Sequence, residues 1–473
     1  MRSILTIFGA LLSFSDLVYS VELSNGRSIP DRPVLIPAPY GPAVSRPYSP
    51  PRDEDKYCFV PGPCKEGEDS APRILKAFQK CNDGGTVVLD KVYTISSPLD
   101  LTFLKHVDVV ITGEVHMNDD VYYWADNSFK YPFQNTSAIW MIGGEDVNIY
   151  GDLTNEQSLI HGHGQAFWEE NQTNKTLRRP LLVAIEGLHG GSMSNLRMKN
   201  PAFVSMKKSS NGFPGVNGSQ WFNIVANSSD IIISDMHLEA KSENGVKIAN
   251  SDGWDTYRSE RIVIQNSIID NTDDCVSFKP NSTDIVVQNL VCDGSHGISI
   301  GSLGQYRNVT DIVEDLHIFN ISMSNASDGA RIKVWPGIET DFQSDLNGGG
   351  GLGRVKNVTY DTFYHYNNDR AITITQCYGQ SNQTLCNEFP ANLTINDITM
   401  KNFWGVTSSK YDPEAGTLVC SAADRCSNIN LHNITVTVPS GKPPVYECSN
   451  VDESLLENIT CVNADDGRDT GQG

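Results

Sequence analysis

A single-stranded parallel β-helix is the fold class that this sequence predicts, because one strand-based unit recurs along most of its 473 residues. From about residue 84, short β-branched runs alternate with Gly, Asn, Asp and Ser, and little helical periodicity remains. In each unit an Asn or Asp divides two short apolar strands; these dividing residues are Asp235, Asn266, Asn289, Asn320, Asn357, Asp397, Asn433 and Asn458, with an earlier copy at Asn195. Units that repeat every 23 to 40 residues indicate an all-β solenoid.

The dividing residues suit tight bends, because Asn and Asp tolerate the left-handed backbone region and hydrogen-bond locally. On successive coils they are expected to stack as one ladder. An antiparallel sandwich is the alternative fold, although it gives no reason for the same residue type at each bend. Four ladder residues also lie in N-x-S/T sequons, namely Asn320, Asn357, Asn433 and Asn458. Because the ladder should bury them, at least some are expected to be unglycosylated.

The N-terminal region divides into three predicted segments. Residues 1–20 combine Arg2 with a short apolar run, which is typical of a signal peptide and too short for a membrane anchor. Residues 21–70 are predicted to form an extended arm, rich in proline between 30 and 51. The segment "SAPRILKAFQKC" predicts a short helix with Ser70 as its cap, and it introduces a β-helix domain over residues 71–473.

The cysteines and sequons indicate a secreted, extracellular protein. Eleven cysteines in such a chain favour disulfides over metal ligands. Short spacings predict the local pairs Cys275/Cys292, Cys377/Cys386, Cys420/Cys426 and Cys448/Cys461, while Cys58, Cys64 and Cys81 leave one thiol over. Further sequons at Asn135, Asn171, Asn174, Asn217, Asn227, Asn281 and Asn382 support passage through a glycosylating pathway.

The net charge of −21 argues against binding to nucleic acid or to an anionic membrane surface. An anionic substrate would require a local cluster of cations, since the global field repels it. No later stretch reaches about 18 apolar residues, so no membrane span is expected. We expect a soluble monomer without metal or other cofactor. The "HGHG" stretch with His161 and His163 is interpreted as a turn, because no third ligand is near in sequence.

One wall of the β-helix is predicted to carry the chemistry. Asp252, the pair Asp273 and Asp274, and His296 are spaced by 21 or 22 residues, close to one coil, so their side chains should be neighbours. Paired carboxylates suit glycoside hydrolysis, in which one must be protonated and another ionised. Like charges held together raise one pKa. The adjacent pair requires a bend or bulge, because neighbours in a regular strand face opposite sides.

The stretch "ARIKVW" places Arg331 and Lys333 two residues apart, and therefore on the same side of a strand. Arginine can grip a carboxylate with two hydrogen bonds, and lysine adds a point charge. Two aligned cations beside acidic catalysts indicate a sugar that carries a carboxylate. A solvated strand face is the alternative for these two residues taken alone.

Four motifs, "NSDG", "TDDC", "SHGISIGS" and "RIK", resemble in order and spacing those of the polygalacturonases, glycoside hydrolase family 28, over most of the chain from residue 84. "NSDGWDTYRS", "DDCVSFKPNST" and "GSHGISIGSLGQY" are similar to the fungal exopolygalacturonases. The resemblance implies a right-handed, pectin-lyase-like catalytic domain that hydrolyses α-1,4 links of polygalacturonate with inversion and without a metal. By motif position it implies that Asp273 is the general acid, that Asp252 and Asp274 activate water, that His296 orients or shares protons, and that Arg331, Lys333 and Tyr378 bind substrate.

Several functions stay open on the sequence. The leading interpretation is an exo-acting enzyme that releases galacturonate from chain ends of de-esterified pectin. It requires one end of the cleft to be blocked, and the aromatic residues 119–135 are the candidate wall. An endo-polygalacturonase, or a xylogalacturonan or rhamnogalacturonan hydrolase, would share the site. A pectate lyase would use calcium and an arginine base, and a non-catalytic β-helix would not need the Asp–His register.

Overall fold

The computed structural model describes residues 20–22, 27–37, 49–65, 67–130, 133–154, 156–174, 177–202, 221–248, 250–338, 348–380 and 382–463. Nearly all of the expected signal peptide lies outside the described residues. Within the described ranges, no helix is long and apolar enough to cross a membrane. The predicted parallel β-helix is confirmed, because 27 strands join into one continuous and almost entirely parallel sheet.

The described residues contain four α-helices, two short 3-10 helices (Phe133–Asn135 and Glu453–Leu455) and 29 strands. The α-helices are α1 (Ala71–Cys81), α2 (Val121–Asn127), α3 (Gly164–Thr173) and α4 (Gln383–Glu388). The strands are β1 (Ser20–Glu22), β2 (Ser28–Pro30), β3 (Tyr57–Phe59), β4 (Thr86–Leu89), β5 (Val92–Ile95), β6 (Leu99–Ile111), β7 (Glu114–Met117), β8 (Phe129–Lys130), β9 (Ser137–Tyr150), β10 (Leu159–His161), β11 (Leu181–Ser194), β12 (Arg197–Lys199), β13 (Asn223–Ala226), β14 (Ser229–Ser234), β15 (His237–Glu239), β16 (Trp254–Tyr257), β17 (Ser259–Asp270), β18 (Val276–Phe278), β19 (Ser282–Asp293), β20 (Ile298–Leu303), β21 (Thr310–Ser324), β22 (Ala330–Val334), β23 (Leu352–Asn368), β24 (Ile372–Thr375), β25 (Asn392–Thr407), β26 (Glu414–Val419), β27 (Cys426–Thr437), β28 (Val445–Ser449) and β29 (Cys461–Asn463).

Each coil has three faces, and the same face of successive coils forms a sheet. Sheet 1 contains the short strands β13, β16, β18, β20, β22, β24 and β26. Sheets 2 and 3 are formed by the first and second halves of long strands such as β17, β19 and β21. Loops then return the chain from sheet 3 to sheet 1. Residues 250–253, 271–275, 294–297 and 325–329 are called the return loops below.

The dividing residues adopt the predicted left-handed conformation, because φ lies between 51° and 60° at all eight positions. Asn266, Asn289 and Asn320 stack at the bend between sheets 2 and 3. Asn289 Nδ2 donates to Asn266 Oδ1 at 3.0 Å, and Asn320 Nδ2 donates to Asn289 Oδ1 at 2.8 Å. Each side chain therefore satisfies a polar group of the neighbouring coil.

Two of the dividing residues belong to a second ladder, so the prediction of a single ladder is wrong. Asn357 and Asp397 are stacked neighbours near the beginning of sheet 2. Asn357 Nδ2 donates to Asp315 Oδ1 at 2.5 Å, and Asn428 Nδ2 donates to Asp397 Oδ1 at 2.7 Å. Sequence spacing did not distinguish the two ladders, because long strands such as β19, β21 and β23 each contain at least two left-handed bends.

The ladder residues lie on the outside of the coils. Asn357, Asn433 and Asn458 are exposed, and Asn320 is half-buried. The prediction that the ladder buries these sequon asparagines is therefore wrong, because a bend between two sheets projects its side chain away from the core. Burial gives no reason to expect these four residues to lack glycans.

The interior of the coils is filled by one continuous apolar cluster. Inward and outward positions alternate along each strand, so β18 places Val276 and Phe278 in this core. Helix α1 closes the N-terminal end by burying Ile74 and Phe78 against the same cluster. Its amphipathic pattern is what predicted it from the sequence. Helices α2, α3 and α4 were not predicted, since they are short segments between strands.

The cap of α1 differs from the expectation. Ser70 occupies the N-cap position, but its side chain makes no capping hydrogen bond. Asp69 Oδ1 instead accepts the backbone N–H of Ala71 at 3.1 Å. A carboxylate one residue earlier thus satisfies a free backbone donor of the first turn.

The four predicted local disulfides are all formed, and a fifth joins Cys58 to Cys81. Among the described residues, Cys64 is free and exposed. Strand β3 lies within the range predicted as an extended arm, yet it pairs with β4 of the solenoid. Part of the same range lies along the outside of sheet 2, where Leu35 is buried against Val263.

Substitutions of Asn289 should separate two contributions of a ladder residue to stability, namely its side-chain hydrogen bonds and its tolerance of the left-handed backbone. We expect Asn289→Ala to lower the thermal unfolding midpoint, because it loses two hydrogen bonds of about 1 kcal/mol each. It also leaves alanine at a φ of 55°, which costs about 1–2 kcal/mol. Asn289→Gly should be less harmful, since glycine adopts this φ without strain. Circular dichroism melts provide the measurement, and equal midpoints would contradict a contribution from the left-handed backbone.

Candidate active site

The return loops bring the four predicted catalytic residues together beside sheet 1. Asp252, Asp273, Asp274 and His296 lie on three successive return loops. Backbone hydrogen bonds hold these loops in register: Gly253 N donates to Asp274 O at 3.0 Å, and His296 N donates to Asp273 O at 2.8 Å. The side chains are therefore neighbours across coils, as the spacing of 21 and 22 residues predicted.

Asp273 and Asp274 precede β18, which explains how adjacent side chains reach one cluster. The backbone bends at Thr272 and Asp273, so neither aspartate follows regular strand alternation. One ligand atom from each of Asp273, Asp274 and His296 lies within 4.8 Å of the other two. Gly297 permits this close stacking, because its φ is 111° and a Cβ there would lie 2.6 Å from Gly329 O.

Asp273 and His296 form a largely buried ion pair. His296 Nδ1 lies 3.2 Å from Asp273 Oδ1, and Asn250 donates to Asp273 Oδ2 from its backbone N at 2.9 Å and its Nδ2 at 3.1 Å. Burial raises the pKa of Asp273, but His296 and then Lys333 outweigh it and hold the pKa below its usual range. Burial lowers the pKa of His296, and Asp273 outweighs it, so the net shift is upward. The pair therefore shares one proton, which rests on the imidazole.

Asp274 lies between the two predicted cations. Lys333 Nζ is 2.7 Å from its Oδ2, and Arg331 Nη1 is 3.9 Å from its Oδ1. Ser299 Oγ also donates to Oδ1 at 2.6 Å. Burial raises the pKa of Asp274, but the attraction of Lys333 leads the opposing effects and the net pKa is lowered. Asp274 is therefore held in its ionised form.

A third buried cation, Lys279, was not predicted and contacts the remaining carboxylates. Its Nζ lies 3.3 Å from Asp252 Oδ2 and 3.2 Å from Asp255 Oδ1, and the second contact is ionic without hydrogen-bond alignment. Burial, followed by the charge of Asp255, raises the pKa of Asp252 well above its usual range. Burial raises the pKa of Asp255 to about 8, although Lys279 opposes the shift. Environments that push neighbouring carboxyl pKa values apart are typical of acid–base catalysts.

The predicted substrate-binding residues lie beside the same carboxylates. Arg331 and Lys333 are on β22 and are only 2% and 6% exposed. Arg331 Nε also lies 3.6 Å from Asp328 Oδ2, so its guanidinium sits among carboxylates below the surface. Lys333 Nζ lies 5.9 Å from the ring centroid of Tyr378, which packs edge-on against Trp335. Lys333 and Tyr378 are therefore the more accessible contacts for a ligand.

The pairing register of the strands identifies Asp255 and Lys279, the two residues of the cluster that the sequence did not predict. One column of stacked positions on sheet 1 runs through Asp255, Ser277, Ser299, Arg331 and Thr373. Counting back coil by coil from Arg331 leads to Asp255, which the structure places in the cluster. The same alternation, continued two residues past Ser277, leads to Lys279.

Four buried carboxylates, a histidine and three cations thus form one polar cluster on the wall of a β-helix. The cations supply counter-charge to the carboxylates, and the divided pKa values provide both a proton donor and a proton acceptor. This combination is suited to glycoside hydrolysis by paired carboxyl groups. The fold and the site together define a β-helical glycoside hydrolase.

Comparison with known proteins places the chain in one family. A family model described as "Glycosyl hydrolases family 28" matches residues 98–461. The chain is 50% identical over 419 residues to "Probable exopolygalacturonase X" of Aspergillus fumigatus, an alignment that covers 88% of this chain and 91% of the relative. It is 44% identical over 468 residues to "Exopolygalacturonase X-2" of Emericella nidulans, which covers 98% and 99% of the two chains. The chain belongs to glycosyl hydrolases family 28.

A solved structure supports the same assignment. The crystal structure of endo-xylogalacturonan hydrolase from Aspergillus tubingensis is similar to this chain with a TM-score of 0.73 and 29% identity. The similarity covers 87% of this chain and 100% of that one. The fold of this chain therefore matches that of the relative over the whole length of the relative.

Removing the buried lysine should destabilise the protein in a pH-dependent manner. We expect Lys279→Met to lower the free energy of unfolding by about 3–5 kcal/mol near pH 8, because Asp252 and Asp255 then lack their cation. Burial raises the pKa of both carboxyls in the folded protein above that in the unfolded chain, so the folded protein binds more protons and stability falls as pH rises toward the raised pKa values. The deficit should therefore shrink toward pH 5.

Urea unfolding of the variant and the unsubstituted protein at pH 5 and pH 8 gives the measurement. Lys356→Met is the matched control, because Lys356 is an exposed lysine on β23. A deficit that grows toward acidic pH would show that Lys279 does not offset the two carboxylates.

Proposed function

We propose that this chain is a secreted exopolygalacturonase that hydrolyses terminal α-1,4-galacturonosyl links of de-esterified pectin with inversion and releases galacturonate. Secretion is supported by five disulfides, which persist in oxidising compartments. The substrate class is supported by the names of the two fungal relatives and by the two cations beside Asp274. The observation that carries exo action is an aromatic wall joined to the catalytic cluster.

The end wall consists of Phe133 and Gln134, within the range 119–135 that the sequence singled out. The ring of Phe133 stacks on Tyr257 with centroids 4.3 Å apart, and it lies 6.4 Å from the ring of Trp221. Gln134 Nε2 donates to Gln305 Oε1 at 3.1 Å, although the two residues are 171 positions apart. The wall therefore links the segment before β9 to the loop after β20.

The end wall is also connected to the catalytic carboxylates. Lys279 Nζ lies 4.7 Å from the ring centroid of Trp221, and the same ammonium contacts Asp252. Trp221 and Lys279 thus connect Phe133 to Asp252 through successive contacts. A polysaccharide that continued past this point would collide with the wall, whereas a chain end would fit against it.

The electrostatics of the site support Asp273 as the proton donor and Asp274 as the proton acceptor of the proposed mechanism. Lys333 lowers the pKa of Asp273, so a galacturonate carboxylate beside Lys333 weakens that effect. The proton shared with His296 then returns to Asp273, which donates it to the glycosidic oxygen as the bond to the anomeric carbon breaks. Asp274, ionised beside Lys333, accepts a proton from the water that attacks the anomeric carbon. Asp252 orients that water.

A xylogalacturonan hydrolase is the second candidate, and the similarity to the solved endo-xylogalacturonan hydrolase favours it. Such an enzyme would act on xylose-bearing galacturonan and would need an open cleft. The end wall favours the exo-acting candidate. Hydrolysis rates on xylogalacturonan and on polygalacturonate distinguish the two substrates.

Early products from polygalacturonate test the proposed function. The unsubstituted protein should release galacturonate monomer alone at low conversion, as separated by anion-exchange chromatography. Asp273→Asn should lower kcat by at least about 100-fold, the scale of general acid catalysis. Asp270→Asn is the matched control, since it makes the same change three residues earlier at the end of β17. Full activity of Asp273→Asn would refute its role, and early mixed oligomers would refute exo action.

Opening the end wall should change the product pattern while hydrolysis continues. The double variant Phe133→Ala, Gln134→Ala removes the stack on Tyr257 and the side-chain hydrogen bond to Gln305. We expect oligomers of several lengths among its early products, because the substrate can then extend past the former wall. Tyr366→Ala is the control, as Tyr366 is an exposed aromatic residue on β23. Monomer as the sole early product of the double variant would show that another element blocks the cleft.

A further inference from the structure

Three histidines meet at the ends of two neighbouring coils, outside the catalytic cluster. His116 on β7 and His161 on β10 are paired in strand register, so they are adjacent across coils. His163 follows two residues later in a left-handed bend with a φ of 50° and immediately precedes α3. The "HGHG" stretch is thus a turn, as expected. His116, which is distant in sequence, supplies the third imidazole.

The three rings are close enough to share one ligand. One ring nitrogen from each histidine lies within 4.8 Å of the other two. His116 Nδ1 lies 2.9 Å from His163 Nε2, and the rings of His161 and His163 have centroids 4.1 Å apart. A tetrahedral zinc ion with bonds of about 2.0–2.1 Å requires its nitrogen ligands to be about 3.3 Å apart. The His116–His163 pair would have to widen by only a few tenths of an ångström.

A carboxylate behind His116 sets the orientation of its ring. Glu114 Oε2 lies 2.8 Å from His116 Nε2, so this nitrogen carries the proton and donates it to the carboxylate. The lone pair of His116 is then on Nδ1, which faces His163. A carboxylate that holds the outer nitrogen of a histidine is the usual support of a metal ligand, since it fixes the tautomer and increases ligand basicity.

We infer that His116, His161 and His163 bind one divalent transition-metal ion, with Zn²⁺ as the representative ion. The ion takes the place of the proton between His116 Nδ1 and His163 Nε2, and that proton moves to His163 Nδ1. His161 is the weakest ligand, because its Nδ1 accepts the backbone N–H of His163 at 2.9 Å and must exchange that bond or turn. A water molecule completes the coordination.

The charges around the cluster are compatible with a cation. Lys199 is the register partner of His161 on the next coil, but its ammonium lies 3.4 Å from Glu239. Glu114 contributes a negative charge directly behind His116. Asp119 and Glu243 are the acidic groups that act on His163. The site therefore carries more acidic than basic neighbours.

The position of the site indicates a structural role. An ion here would tie β7 and β10 to the first turn of α3. In that helix Gln165 donates to Asn244 Oδ1 at 2.9 Å, and Asn244 donates to Glu169 Oε1 at 2.7 Å. The segment containing Asn244 leads toward Asn250, which holds Asp273. Metal binding is therefore expected to stabilise α3 and the segment that supports the first return loop.

Zinc binding by the full-length mature protein, without a histidine tag and after treatment with a chelator, tests the inference. Isothermal titration with ZnCl₂ should show one equivalent bound. His116→Gln and His163→Gln should each weaken binding by at least about 10-fold, with a smaller loss for His161→Gln. His237→Gln is the matched control, because His237 is a half-buried histidine on the same sheet. Saturable binding that persists unchanged in His116→Gln and His163→Gln would overturn the site, as would no saturable binding by the unsubstituted protein.

Two further measurements separate binding from folding and from the catalytic cluster. Zinc should raise the thermal unfolding midpoint of the unsubstituted protein and leave that of His116→Gln unchanged. Glu114→Gln retains all three histidines and should bind zinc about 10-fold more weakly than the unsubstituted protein. This variant provides the test if a histidine variant fails to fold. Asp273→Asn should bind zinc as the unsubstituted protein does. Loss of zinc binding in Asp273→Asn alone would place the ion at Asp273, Asp274 and His296 instead.

Discussion

In-register stacking of parallel coils is the constraint on which the rest of this structure depends. Backbone hydrogen bonds between successive strands bring equivalent positions about 4.8 Å apart, whatever the length of chain between them. Asp255, Ser277 and Ser299 become a column, and Asn266, Asn289 and Asn320 become a ladder, for this one reason. The polar cluster of the proposed active site is therefore a property of several coils together.

The buried charges are arranged so that each carboxylate has a nearby cation. Asp274 is paired with Lys333, Asp252 with Lys279, and Asp273 with the imidazole of His296. Burial penalises every isolated charge, so the protonation state of each carboxyl depends on how strongly its own partner opposes that penalty. The close Lys333 contact keeps Asp274 ionised, whereas the longer Lys279 contacts are shared between two carboxylates that retain raised pKa values.

The sequence predicted the features that depend on local spacing. The strand unit, the left-handed bends and the neighbouring positions of Asp252, Asp273 and His296 follow from separations close to one coil. The four local disulfides follow from shorter separations of 6 to 17 residues. Features that join coils of unequal length could not be predicted, because insertions change the spacing between residues that become neighbours. His116 precedes His161 by a coil that contains α2, so its distance in sequence does not resemble the spacing of the other coils. Asn357 was placed in the wrong ladder because coil length varies and two bends use the same residue type.

Because each coil contacts mainly its two neighbours, the stability of the solenoid is distributed along one dimension. Strands β16 to β22, which flank the proposed active site, lie in the middle of this stack, with β6, β9 and β11 before them and β24, β26 and β28 after them. Thermal fraying that starts at either end must pass through several coils before it disturbs the proposed active site. Heat or proteolysis would thus disrupt the terminal coils first and the proposed active site last.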